Sequence, residues 1–239
     1  MFSINYCIYK KNNKSLYPVK SYVIRKRHMN EKKKQFIISN WKNYGIDFCY
    51  TQLNFSLLFF LNQKIIVEIG FGDGYLFVQK VLNNPHINFI GIEVYPLSIY
   101  SVIKYACLYK VNNLKIIFHD AVEVLMYMIP NYSVFIFQIF FPDPWFKLKH
   151  HKRRLINNNF IHLIKKKIVY KGYIHIVTDC RLYSNSISFL ISQHSIFKRI
   201  FLKRFFFPLH NIFMKTKFEK KAILLNRDIF DYKYQLYFK

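Results

Sequence analysis

The sequence predicts an α/β domain built on a mostly parallel sheet, and three observations carry that reading. Short apolar, β-branched runs recur along the chain, separated by helical stretches of roughly 10–15 residues, the pattern of βαβ crossovers. The first run ends in Gly70-Phe71-Gly72-Asp73-Gly74, so three of the chain's six glycines fall within five residues. Five of its 12 acids, Glu68, Glu93, Asp120, Asp143 and Asp179, stand at or just past the ends of successive runs.

Taken in order, Ile65 to Val67 is a buried strand. It turns into a helix, Tyr75 to Asn83, through glycines that let the backbone approach a ligand closely. Asn88 to Val94 is the second strand, followed by a helix over Pro96 to Tyr109. Leu114 to His119 is the third strand, with a short helix from Ala121 to Met128. Tyr132 to Phe141 is the fourth strand and leads to Asp143. A helix over Leu155 to Val169, a strand over Gly172 to Thr178 and a helix over Leu182 to Ser192 follow. Phe197 to Phe207 and Ala222 to Phe238 are read as a final strand pair, with Lys215 to Lys221 as the loop between them.

The chain has 239 residues, compatible with one large domain. Residues 1–50 read as a basic, partly flexible arm and residues 51–239 as a single catalytic domain. The clusters Ser21 to His28 and Lys32 to Lys34 fit either a solvated arm or RNA contact. The longest apolar runs fall well short of the ~20 residues that span a bilayer, and no signal peptide is evident. Cys7, Cys49, Cys107 and Cys180 form no CxxC pair, which suggests a reduced cytoplasmic setting and no metal. The net charge of +25 calls for an anionic partner. Abundant Lys, Asn, Ile and Phe also look like coding from an AT-rich genome, so clusters of charge are more informative than the sum.

Acids at the carboxyl ends of parallel strands line the crevice where open α/β sheets bind ligands. Helix capping is the rival for Asp120, because Glu123 follows at capping-box spacing. No Gly-Lys-Ser/Thr follows the first strand, which disfavours a nucleoside triphosphate. An acid there also repels a pyrophosphate. A cationic ligand with a ribose and an adenine suits the acids better, and S-adenosylmethionine has all three. Glu68 would serve its amino end, Glu93 the ribose diol and Asp120 the adenine amine.

The most distinctive block is Phe140-Phe141-Pro142-Asp143-Pro144-Trp145-Phe146-Lys147, followed by Lys149-His150-His151-Lys152-Arg153-Arg154. Proline restricts the residue before it, so Phe141 and Asp143 are both expected to be extended. Trp145 fits either a stacking residue or a buried wall. A rigid acid beside a dense cationic run fits a polyanionic substrate meeting a positioned group.

Together with Glu68 to Gly72, Gly91 to Val94, His119 to Leu125, Thr178-Asp179 and Thr216-Lys217-Phe218-Glu219, this block resembles the bacterial tRNA (guanine-N7-)-methyltransferases. The resemblance runs in order from about Ser21 to the C-terminus. It implies a class I methyltransferase, Rossmann-like fold: a mostly parallel seven-stranded sheet with helices on both faces and an antiparallel last strand. It implies methyl transfer from S-adenosylmethionine to N7 of guanosine 46 in the tRNA variable loop; a cytoplasmic enzyme without a metal or a membrane is expected, acting as a monomer with an oligomer left open. On that basis Glu68, Gly70, Gly72, Glu93, Asp120 and Asp143 would line the cofactor pocket, with Asp143 catalytic. Lys147, Lys149, His150, His151, Lys152, Arg153 and Arg154 would contact tRNA, and Asp179, Thr216, Lys217, Phe218 and Glu219 would hold the RNA or its guanine. The sequence departs from the family's usual pattern at Asp73, Tyr95 to Ser98, Cys180-Arg181 and Lys220 to Ala222. The alternative reading is a non-catalytic RNA-binding protein with a degenerate cofactor site.

Overall fold

The computed structural model describes residues 20–23, 29–59, 63–200 and 216–237. Among the described residues eight strands form one sheet: β1 (Gly45–Ile46), β2 (Lys64–Ile69), β3 (Ile87–Glu93), β4 (Leu114–Phe118), β5 (Val134–Phe140), β6 (Ile168–Thr178), β7 (Phe197–Arg199) and β8 (Phe230–Leu236). Their order is β1-β4-β3-β2-β5-β6-β8-β7. Every pair from β1 to β6 is parallel, and β8 runs antiparallel to both of its neighbours. The expected architecture is present, with eight strands rather than seven. The added strand is the two-residue β1, too short to leave a pattern in sequence and lying within the stretch read as an arm.

Helices cover both faces because each carries one apolar stripe. Against one face lie α1 (Glu31–Tyr44), α3 (Tyr75–Leu82) and α4 (Pro96–Leu108), through Ile37, Trp41, Phe77, Val81, Ile99 and Ile103. Against the other lie α5 (Ala121–Tyr127), α6 (Asn158–Lys167) and α7 (Arg181–Ser192), through Leu125, Phe160, Ile164, Tyr183 and Ile187. Side chains alternate along a strand. In β2, Ile65, Val67 and Ile69 accordingly enter the second core and Ile66 the first. A single turn, α2 (Phe55–Leu58), precedes β2 and α8 (Lys217–Leu224) precedes β8. Among the described residues no helix is long and apolar enough to cross a membrane.

Three local expectations are corrected. Residues Lys217–Leu224 are helical rather than loop and strand. Thr216 and Glu219 have capping-box spacing, and the Thr216 hydroxyl accepts from the Glu219 N–H at 2.9 Å, so the helix starts there. The strand begins only at Phe230. Of the other member of the expected pair, Phe197–Arg199 is a strand, and residues 201–207 lie outside the described residues. Finally, Phe141 is left-handed, with φ 50°, and not extended. Its N–H still bonds the Val177 carbonyl at 2.7 Å, while its ring stacks on Phe218 with centroids 5.9 Å apart. Two fixed points on either side of the residue override the pre-proline preference.

Candidate active site

Parallel strands deliver their carboxyl ends to one edge, and strand order then sets the order of the acids. From β4 across to β6 the tips carry Asp120, Glu93, Glu68, Asp143 and Asp179 as spatial neighbours. The crossovers change direction between β2 and β5, which is where an open sheet leaves its crevice.

The glycine turn opens that crevice. Gly70, Gly72 and Gly74 have φ of 76°, 61° and 75°. A Cβ on Gly70 or Gly72 would meet no atom within 4 Å, so both face open space, whereas one on Gly74 would come 2.7 Å from the Val102 Cβ. Gly74 is therefore needed for packing of α3 on α4, and the first two form a cradle for something outside the chain. Asp73, one of the sequence departures, receives the Tyr75 N–H at 3.3 Å and pairs with Lys217 at 3.1 Å.

Glu93 ends β3 at 5% exposure. Its carboxylate accepts from the N–H groups of Val94 (2.7 Å), Tyr95 (3.2 Å) and Gly72 (3.3 Å). Burial pushes its pKa up to about 7, those three donors oppose the rise, and the charge of Asp143 adds to it. The β3 and β5 tips flank that of β2, so the two carboxyls stand on either side of the glycine turn.

Asp120 is the N-cap of α5: one oxygen accepts from Val122 N–H at 2.9 Å and Glu123 N–H at 3.4 Å. The other takes Lys20 Nζ at 3.2 Å, which also reaches Glu123 at 3.2 Å. Capping, the rival reading of this acid, describes one of its two oxygens. Glu68 lies one residue inside the end of β2, at 5% exposure, paired with Lys80 of α3. Lys80 also donates to Gln138 of β5 at 2.6 Å. Sequence reasoning missed Lys80, although a lysine three residues after Phe77 falls on the buried stripe of that helix. The polar row continues across the sheet in register: Glu68 opposes Gln138, Gln138 opposes His175 and His175 opposes Lys233.

The Pro-Asp-Pro loop is held at two points. Arg154 is 7% exposed. Its Nε donates to the Pro144 carbonyl at 2.9 Å, its NH1 to Ser186 at 3.1 Å, and its guanidinium lies over the Tyr183 ring at 4.8 Å. A buried group with its donors committed is not a surface phosphate contact, so the expectation for Arg154 is corrected: it anchors the peptide next to Asp143. Arg153 lies over Trp145 at 4.5 Å, and His150 meets the same ring edge-on. Trp145, with φ 48°, is half-buried and donates to the Ser21 carbonyl at 3.0 Å. Two bulky residues at positive φ, Phe141 and Trp145, bracket Asp143, which is itself exposed. Lys147, Lys149 and Lys152 are exposed beside it, with His151 half-buried.

The Thr-Lys-Phe-Glu block returns to the same mouth. Lys217 reaches Asp73 in the glycine turn, and Phe218 stacks on Phe141. Asp179 is half-buried and paired with Arg227 at 2.9 Å. Among the described residues no cluster of His, Cys, Asp or Glu could hold a metal ion.

The chemistry of this donor set matches a positively charged nucleoside. Carboxylates at successive tips offer acceptors for hydroxyls, an amine and an onium centre, over a glycine cradle that leaves space for it. The comparisons agree. A family model described as a putative methyltransferase matches residues 62–232. A tRNA (guanine-N(7)-)-methyltransferase of Buchnera aphidicola subsp. Baizongia pistaciae is 40% identical over 233 residues, covering 98% of this chain and 96% of the relative. Another, from Buchnera aphidicola subsp. Acyrthosiphon pisum, is 42% identical over 223 residues, with 91% of each chain covered. Among solved structures, the 16S rRNA methyltransferase KamB superimposes with a TM-score of 0.55 at 10% identity, covering 77% of this chain and 92% of that one, a likeness of fold alone. Matched along nearly its whole length to such relatives, the chain belongs to the tRNA (guanine-N(7)-)-methyltransferase family.

Proposed function

We propose that the protein methylates N7 of guanosine 46 in the variable loop of tRNA, using S-adenosylmethionine. When bound, that cofactor supplies a methyl group activated by its sulfonium. Gly70 and Gly72 would let the backbone approach it. Glu93 would accept from the ribose diol and Asp120 from the adenine amine. Glu68, already paired with Lys80, would act at the amino end from below the glycine turn.

Guanine N7 carries a free lone pair, so no base need remove a proton before transfer. What the chain must provide is alignment and compensation for the positive charge that appears on the purine. Alignment of this kind supplies ~7–11 kcal/mol of a barrier. Asp143 is the residue for the second task. Its backbone is fixed by prolines on both sides, and Arg154 holds the following carbonyl. A charge that does not need to reorganise stabilises a transition state most effectively. Asp179 and Glu219 would accept from the N1–H and N2–H₂ edge of guanine, with Phe218 and Thr216 shaping the same side. Lys147, Lys149, Lys152 and Arg153 would contact phosphates, which set the register of the RNA without reading its sequence. A tRNA substrate supports a cytoplasmic setting.

The observation that carries the reading is the glycine turn: a Cβ on Gly70 or Gly72 would meet nothing within 4 Å, and the Gly72 N–H is held by the Glu93 carboxylate at 3.3 Å. The test is a mass-spectrometric map of methylguanosine in unmodified tRNA incubated with the protein and cofactor. Methyl incorporation at N7 of the variable-loop guanosine is expected. A protein that binds tRNA and leaves no methyl mark would instead be the non-catalytic RNA binder.

A further inference from the structure

Four residues of the N-terminal segment cross the mouth of the pocket. Lys20 bridges Asp120 and Glu123 at the β4 tip. Ser21 accepts from the Trp145 ring N–H beyond β5 at 3.0 Å. Val23 accepts from the Tyr95 hydroxyl, just past β3, at 2.8 Å. A stretch of this length spans at most ~14 Å, yet it is tied to three of the strand tips that carry the proposed site. Tyr22 lies between the two anchored carbonyls. Its side chain is half-buried, and burial, with the charges of Asp120 and Glu123 and the Tyr95 phenol, raises its pKa well above the usual phenol range. Its backbone is therefore fixed beside the tips of β3, β4 and β5 by the anchors at Lys20, Ser21 and Val23.

We propose that Lys20–Val23 is the outer wall of the cofactor pocket at its adenosine end, and that Tyr22 is a further cofactor-binding residue. The inference rests on the reading that Glu93 and Asp120 hold the ribose and the adenine. Those two acids supply in-plane acceptors and leave the purine face uncovered. An aromatic side chain on a backbone fixed at both neighbouring residues would cover that face at small entropic cost. Lys20 occupies the second oxygen of Asp120, so the adenine amine would share it and Lys20 would shift its weight to Glu123.

The experiment is calorimetric titration of S-adenosylhomocysteine and of 5′-methylthioadenosine into the full-length protein. Tyr22→Ala is expected to weaken both ligands by about tenfold or more, and by equal factors, since the lost contact is to the shared adenosine. Tyr22→Phe keeps the ring and should bind both within about twofold of wild type. Tyr95→Phe removes the hydroxyl that holds the Val23 carbonyl, keeps the Tyr22 ring and should cost about threefold. Affinity for tRNA without cofactor should be unchanged in all three. Wild-type affinity in Tyr22→Ala, or a loss confined to S-adenosylhomocysteine, would overturn the inference and leave the methyltransferase reading standing. A wild-type protein that bound neither ligand would remove both. If Tyr22→Ala melts early, an unchanged Tyr95→Phe affinity overturns the inference in its place.

Discussion

The two halves of the strand-tip edge hold their acids differently. On the β2–β4 side, Glu68, Glu93 and Asp120 are all at most 7% exposed and already engaged, by a lysine, by backbone N–H groups or by a helix terminus. On the β5–β6 side, Asp143 is exposed and Asp179 half-buried, and the cations around them reach into solvent. The first half is built before any ligand arrives, which suits a small molecule that must be gripped on most sides. The second is left open, which suits a macromolecule that brings its own surface. The same contrast separates two arginines adjacent in sequence: Arg154 is turned inward and fixes the loop, while Arg153 lies on Trp145 at the rim.

If that division is right, changes on the built side should appear in stability and cofactor affinity, and changes on the open side in turnover and tRNA binding. The largest effect is expected from Lys80→Ala. Removing one partner of a buried ion pair leaves Glu68 uncompensated, at a cost of about 3–5 kcal/mol in denaturant unfolding. A loss below about 1 kcal/mol would mean the pair is not buried as described. Asp143→Asn should come next, lowering single-turnover methyl transfer by about 10²–10³-fold while affinities for cofactor and tRNA stay near wild type. Turnover within a few-fold of wild type would remove its electrostatic role.

A third effect depends on pH. Glu93, with its pKa near 7, is ionised above that value and protonated below it. The ionised form is the acceptor, so affinity for S-adenosylhomocysteine should fall as pH drops below about 7, by up to about tenfold per unit. In Glu93→Gln the affinity should be lower and flat across the same range. An unchanged slope in that variant would assign the titration to another group. The smallest effect belongs to the rim. Replacing Lys149 or Lys152 with Ala should weaken tRNA binding modestly, and should lower the slope of log affinity against log salt by about 1 per lysine that meets a phosphate. Arg154→Ala should leave that slope unchanged and instead impair the loop that carries Asp143.

The parallel part of the fold was legible in the sequence because buried strands and crossover helices leave long apolar runs, and the acids at their ends stand out in so basic a chain. The antiparallel end is legible in outline, since both last strands fall within the expected stretches, but Ile223 to Leu225 is as apolar as a strand and belongs to a helix end. Thr216 and Glu219 hold the decisive signal, a capping box that starts that helix. For the site, which acids share an edge follows from strand order and could be inferred. What each acid already touches could not. Lys20 lies 100 residues from Asp120, and Lys80 lies inside a helix that otherwise reads as plain core. The left-handed turn at Phe141 was invisible for a related reason: local preference pointed to extended backbone, and contacts to β6 and α8 decided otherwise.

Lysine outnumbers arginine 29 to 8 in this chain. All five arginines among the described residues are used in ways that exploit a flat, forked cation. Arg153, Arg154 and Arg199 lie over the rings of Trp145, Tyr183 and Tyr232, while Arg181 and Arg227 meet the carboxylates of Asp228 and Asp179. Lysines also lie over rings here, Lys64 over Phe135 at 4.2 Å, but an ammonium does so as a point charge, without the flat face and fork of a guanidinium. Where one group must both lie flat on a ring and fork to several acceptors, as at Tyr183, Pro144 and Ser186, this lysine-rich chain carries an arginine, Arg154.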